Sequence, residues 1–217
     1  MKAGSDVAIS ARGLRKSYGN RLAVAGIDLE VARGEVFSLL GPNGAGKTTT
    51  VEILEGFRRR DHGEVSVLGV DPRRADGRWR ARLGIVLQST GEFEELTVGE
   101  VVRHFAQYYP HPDNPDAVIE RVGLSDKRDA RAKTLSGGQR RRLDVALSVI
   151  GRPELLFLDE PTTGFDPQAR HGFWDLVRDL AAEGATILLT THYLHEAEAL
   201  ADRVGVINDG QIVDVGA

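Results

Sequence analysis

Gly41-Pro42-Asn43-Gly44-Ala45-Gly46-Lys47-Thr48 lies between the apolar run Val36-Phe37-Ser38-Leu39-Leu40 and a stretch from Thr48 to Gly56 carrying Val51, Ile53 and Leu54. The octapeptide satisfies the pattern G-x-x-x-x-G-K-[ST] at every position, and its flanks read as a buried strand and a helix, the context that gives the pattern meaning. Glycines let the backbone curl so that successive N–H groups point inward, making an anion nest at a helix N-terminus. Lys47 adds a point charge suited to β- and γ-phosphates, and the Thr48 hydroxyl is a hard oxygen ligand for Mg²⁺. A phosphate-binding loop between strand and helix predicts an α/β chain.

Outward from that loop the α/β pattern continues. Val7 to Val31 alternates in short runs broken by Gly13, Gly19 and Gly26, which predicts antiparallel strands. Glu64 to Val70 and Gly84 to Leu87 read as further strands. The stretch from about Ser89 to Thr134 differs: Thr97-Val98-Gly99-Glu100 fits a capping box, and Val98, Val101, Val102 and Phe105 follow helical spacing. Pro110, Pro112 and Pro115 close that helix and open another, so a helical lobe is expected between two strands of the main sheet. Beyond Gln139 the alternation returns. Leu143, Ala146, Leu147 and Ile150 mark one helix face, Leu155 to Leu158 a buried strand, and Phe173, Leu176, Val177 and Leu180 the next helix. Thr186 to Thr190 is a strand, Leu194, Ala197 and Leu200 mark a short helix, and a hairpin turns through Asn208-Asp209-Gly210. This alternation predicts a largely parallel central sheet.

Composition bounds the function. The 217 residues suit one compact domain, 41% apolar residues can fill its core, and a net charge of −4 argues against a general nucleic-acid binder. With no cysteine, disulfides, Cys-ligated zinc and thiol catalysis are excluded. MKAGSDVAIS lacks the apolar segment of a secretion signal and reads as a mature start. No run approaches the roughly 18 consecutive apolar residues of a spanning helix, so any membrane path must come from another polypeptide.

Two further segments carry chemistry. Leu155-Leu156-Phe157-Leu158-Asp159-Glu160 is an apolar strand ending in two acids, which places carboxylates at the sheet edge where open α/β folds bind ligands. Asp159 suits Mg²⁺ through water, and Glu160 suits polarisation of an attacking water. Leu135-Ser136-Gly137-Gly138-Gln139 opens an amphipathic helix and reads either as an ordinary serine N-cap or as a second anion-binding helix start. On the second reading it serves the nucleotide of a partner copy, and two chains enclose two nucleotides at a two-fold interface. Arg58-Arg59-Arg60 and Arg140-Arg141-Arg142 read as solvated faces with local ion pairs.

LSGGQ, followed by RRRLDVAL and LLFLDEP, resembles the ABC ATPase family, and the likeness covers essentially the whole chain. The resemblance implies one ABC ATPase domain over 1–217, with a P-loop core, an antiparallel β-lobe at approximately 5–35 and 62–72, and an inserted helical lobe at approximately 89–150. It implies ATP and Mg²⁺ as ligands, with nucleotide contacts from Gly41 through Thr48 and Thr49. By the same likeness Tyr18 stacks on adenine, its alternative being a half-buried strand tyrosine. Gln88 joins the core to the helical lobe near Mg²⁺ and the attacking water, Asp166 reaches across the dimer, and His192 contacts the γ-phosphate. The family usually has Leu where Phe165 stands, a conservative departure. Ser136, Gly137, Gly138 and Gln139 then belong to the partner's nucleotide. A His192/His195 metal pair is discounted for want of further ligands, leaving His195 as a solvated helix residue. Glu160 to Pro167 together with Thr190 to Glu198 resembles the ATPases of ABC-2 type drug and lipid exporters. That implies a subunit at the inner face of the cell membrane, bound to separate integral-membrane permease subunits and paired with a second copy or a homologue. An importer subunit and a non-transport ABC ATPase are the alternatives.

Overall fold

The computed structural model describes residues 7–86 and 93–217. Strands β1 (Val7–Tyr18) and β2 (Arg21–Ala32) form an antiparallel hairpin, followed by β3 (Val36–Leu40) and helix α1 (Lys47–Leu54). β4 (His62–Val67), the single-turn α2 (Gly77–Arg80) and β5 (Leu83–Val86) come next. Helices α3 (Val98–Ala106), α4 (Pro115–Arg121) and α5 (Gly137–Val149) precede β6 (Leu155–Asp159). The chain then alternates through α6 (Pro167–Ala182), β7 (Thr186–Thr191) and α7 (Leu194–Leu200), and closes with β8 (Arg203–Asn208) and β9 (Gln211–Gly216).

Two sheets result. The smaller is antiparallel in the order β2-β1-β4, and the larger runs β5-β6-β7-β3-β8-β9, parallel except for β9. Alternation along the central strands sorts side chains to two faces. Leu156, Leu158, Ile187 and Leu189 join α3, α4, α5 and α6 in one apolar cluster. Leu155, Phe157, Leu188, Phe37 and Leu39 join α1 and the smaller sheet in the other. Both faces of the parallel sheet are therefore covered, which is why its strands read as continuous apolar runs.

Local signals account for most element ends. Thr97 and Glu100 form the expected reciprocal capping box on α3, and Pro115 begins α4 behind an Asn114 cap. The β8–β9 hairpin turns through Asp209 and Gly210, both at positive φ, as a tight two-residue loop needs. One strand boundary needs correcting. The strand read as Glu64 to Val70 begins at His62 and ends at Val67, because Leu68 and Gly69 take positive φ and Val70 folds back to bond Val67. The short helix marked by Leu194, Ala197 and Leu200 is present as α7, with Ala197 and Leu200 buried and Leu194 57% exposed.

α3, α4 and α5 lie in the chain between β5 and β6, which are adjacent parallel strands. The helical insertion therefore leaves and re-enters the sheet at neighbouring positions. Strand order also sets the site: β7 separates β6 from β3, so the carboxyl ends of β6, β7 and β3 stand side by side.

Candidate nucleotide-binding and catalytic site

Leu40, the last residue of β3, pairs with Thr191 of β7, and Asp159, the last of β6, pairs with Thr190. The loop after β3, the acids ending β6 and the histidine following β7 are thereby brought to one edge. The loop starts where Gly41 donates its N–H to the Thr191 carbonyl at 3.1 Å. A Cβ at Gly41 would collide with the Ile207 carbonyl oxygen, so the backbone approach itself demands glycine. At Gly46 the constraint is double: φ is +104°, and a Cβ would strike the Ala23 carbonyl oxygen. Gly46 caps α1 from that left-handed conformation and turns the chain so that α1 starts at Lys47.

Lys47 is buried, and its Nζ donates to the carbonyls of Gly41 at 2.8 Å and Pro42 at 3.1 Å. The same Nζ lies 3.1 Å from Glu160 Oε1. His192 Nδ1 approaches Glu160 Oε2 at 3.3 Å; the approach lacks hydrogen-bond geometry, although this ring nitrogen is buried. Thr163 Oγ1 also donates to Glu160 Oε2 at 3.3 Å. Lysine, carboxylate and imidazole thus meet at Glu160. Beside it, the Thr190 hydroxyl donates to Asp159 Oδ1, and Glu160 N–H bonds Thr190 Oγ1 at 3.0 Å. Thr190 was missed in the sequence; it is one of three threonines in the buried strand Thr186–Thr191, and nothing local sets it apart from Thr186 and Thr191.

A cavity of about 640 Å³ opens beside Lys47 and Glu160, lined also by Tyr18, Arg21, Asn43, Thr48 and Thr49. Tyr18 ends β1 and is 41% exposed, a partly buried strand tyrosine that also lines the cavity. The Arg58 guanidinium and Lys16 Nζ lie 5.2 Å and 5.6 Å from its ring centroid. A partly exposed aromatic ring at one end, and backbone donors with a buried lysine at the other, suit a ligand with a planar base and a phosphate chain.

Residues 24–163 match the family model described as ABC transporter. The chain belongs to the ABC transporter ATP-binding family. It is 44% identical over 98% of its length to the Nod factor export ATP-binding protein I of Ralstonia nicotianae, covering 68% of that protein. It is likewise 44% identical over 98% of its length to the daunorubicin resistance ATP-binding protein DrrA3 of Streptomyces coeruleorubidus, covering 69% of it. Among solved structures it resembles cbiO1 from Clostridium perfringens, described as part of the ABC transporter complex cbiONQ. There the TM-score is 0.88 at 27% identity, with 98% of this chain and 89% of that one covered. As an ABC ATPase, the chain binds and hydrolyses ATP.

The remaining family residues fall elsewhere. Gln88 lies outside the described residues. Ser136 caps α5 in a reciprocal box, accepting from Gln139 N–H at 3.3 Å while Gln139 Oε1 accepts from Ser136 N–H at 3.0 Å. Gly138 packs against Ala169 of α6. Asp166 caps α6, its carboxylate accepting from Ala169 N–H at 2.8 Å. None of Ser136, Gly137, Gly138, Gln139 or Asp166 is among the described residues lining the ABC ATPase cavity. His195 is exposed, as expected of a solvated helix residue.

The arginine runs are corrected in part. Arg140 is partly exposed and faces Glu94 at 3.8 Å. Arg141 is 7% exposed and donates to the carbonyls of Pro161 and Asp159, while Arg142 donates to those of Val122 and Gly172. In the first run, Arg60 is buried in a two-pronged pair with Asp71 at 2.7 and 2.8 Å. Exposed carbonyl ends and acids of neighbouring segments draw these guanidiniums inward, and no short-range pattern reports that. Burial, and then the charges of Asp159 and Glu52, push the Glu55 carboxyl up to about 7.

Proposed function

We propose that this chain is the motor subunit of an exporter, hydrolysing ATP as a head-to-tail dimer and driving separate permease subunits. The carrying observation is that Lys47, Glu160 and His192 meet at one sheet edge, while the capped helix start at Ser136 lines a different part of the surface. A second chain turned through two-fold symmetry supplies its Ser136 start to this chain's phosphates. In this arrangement Tyr18 stacks on the base, and Gly41 to Thr49 cradle the phosphates. Asp166, at the start of α6, faces the partner.

Glu160 accepts a hydrogen bond from the attacking water and draws its proton as the water oxygen bonds to the γ-phosphorus and the bond from that phosphorus to the bridging oxygen breaks, releasing ADP and phosphate. Lys47 and His192, both within reach of Glu160, balance negative charge at the phosphoryl group. Thr48 and Asp159, with Gln88 by family likeness, are oxygen donors of the kind Mg²⁺ takes, and Thr48 lines the cavity. Bound by these donors, Mg²⁺ would supply positive charge to offset that of the phosphates.

Export is favoured over import because the relatives at 44% identity are named for Nod factor export and daunorubicin resistance. The subunit then sits at the inner face of the membrane through its permease; among the described residues no helix is long and apolar enough to cross it. Glu160→Gln should retain ATP binding, lose turnover and accumulate an ATP-dependent dimer, read by light scattering after gel filtration. Hydrolysis at the parent rate refutes the role of Glu160. Reconstitution with the cognate permease tests direction, and ATP-driven uptake toward the side carrying this subunit rejects export.

A further inference from the structure

Glu160 holds its backbone at φ +44°, a conformation that residues with a side chain rarely adopt. Such a residue persists only where its surroundings over-determine it, and active sites are where this happens. Its own N–H is held by Thr190, through both the carbonyl and the hydroxyl. The carbonyls of the two residues that flank it in sequence, Asp159 and Pro161, are held by a single side chain. Arg141 Nη2 donates to the Asp159 carbonyl at 3.0 Å and Nε to the Pro161 carbonyl at 3.1 Å. Arg141 is 7% exposed, and its Nη1 lies 3.8 Å from Asp144 Oδ2 on the same helix, so a neighbouring acid steadies the guanidinium.

Arg141 belongs to α5, five residues beyond the Ser136 cap. The helix that starts at Ser136 therefore grips, in the same chain, the two carbonyls that bracket Glu160. We propose that Arg141 is a positioning residue for Glu160, linking the Ser136 helix start to the carboxylate that polarises water in the chain's own site. The proposal rests on the reading of Glu160 above. Through this link, phosphate engaged at Ser136 shifts α5 against the β6 end and thereby aims Glu160. In a head-to-tail pair, each nucleotide then influences hydrolysis at the other. Planarity of the guanidinium is essential, because one rigid group bridges two carbonyls; a lysine ammonium keeps the charge and loses the fork.

The test compares Arg141→Lys and Arg141→Gln with the parent in the full chain. Both should bind ATP with Kd within about twofold of the parent and lose roughly tenfold to hundredfold in kcat, the scale of a small misplacement of a catalytic group. Adding Glu160→Gln should cause no further loss beyond that of Glu160→Gln alone, since a misaimed carboxylate has little left to lose. A merely structural arginine would lower the melting temperature and leave kcat per folded molecule unchanged; that result, or independent losses in the double variant, overturns the proposal. Should the variants fail to fold, the Arg141 Nε–H resonance of the parent decides it. A shift on ATP binding is expected, and a signal indifferent to ATP overturns the link. If Glu160→Gln is inactive while Arg141→Lys turns over at the parent rate, only the positioning role fails. If Glu160→Gln is itself active, the reading beneath it fails.

Discussion

Replacing Glu55 with glutamine isolates the energetic consequence of placing a carboxyl behind the phosphate loop. Glu55 follows α1 directly, and burial together with the negative charges of Asp159 and Glu52 raises its pKa from 4.5 to about 7. The folded chain therefore keeps this proton to higher pH than the unfolded chain does. Below about pH 4.5 both states are protonated and the group is neutral toward folding. Between there and about pH 7 the unfolded chain ionises first, and stability falls as pH rises. The shift is 7 − 4.5 = 2.5, which at 1.36 kcal/mol per unit sets a ceiling of about 3 kcal/mol. Glutamine has the same shape and no charge to bury. Glu55→Gln should match the parent to within about 1 kcal/mol near pH 5 and exceed it by about 2–3 kcal/mol near pH 8. Urea unfolding followed by circular dichroism, with EDTA present and nucleotide absent, measures both. Parallel stability curves for parent and variant across that range would refute the reasoning.

Asp71→Asn should cost roughly 3 kcal/mol, because it leaves the buried Arg60 guanidinium without its charge partner; chemical denaturation at neutral pH reads this. The parent's Arg60 pair holds Asp71 at about 2, so its contribution is present above pH 3.8 and is lost as pH falls through about 2. The variant should lack that acid-side dependence. Gly46→Ala combines a positive φ with a collision at the Ala23 carbonyl. It should abolish ATP binding, measured by calorimetry, while the fold persists by far-ultraviolet circular dichroism; parent-like affinity would show that the loop tolerates a Cβ.

Legibility followed the range of each interaction. The phosphate loop, the capping box at Thr97, the serine cap at Ser136 and the Asp209-Gly210 turn are marked by residue types a few positions apart, so short spacing reports them; the reciprocal bond from Gln139 at Ser136 was not read. The apolar runs of β3, β6 and β7 were equally plain, because both faces of each strand are covered. Arg141 was not legible. In a run of three arginines, local pattern favours solvent, and only the arrival of the β6 end beneath α5 supplies carbonyls worth burying a guanidinium for. Thr190 and the Thr162–Glu196 bond, 2.7 Å long in the interior, were likewise hidden, since their partners lie some thirty residues away in sequence.

By itself, the sequence determined that the chain binds nucleotide phosphates on a mainly parallel α/β framework. Such a loop is signalled by glycines at short fixed spacing before Lys-Thr, and the strand–helix alternation by the spacing of nearby apolar positions. Tertiary structure alone decided the order β6-β7-β3, and with it that Glu160, Lys47 and His192 meet while Ser136 stays apart. Strand order depends on how covered faces and connections pack across the whole chain, and no stretch of neighbouring residues carries that information.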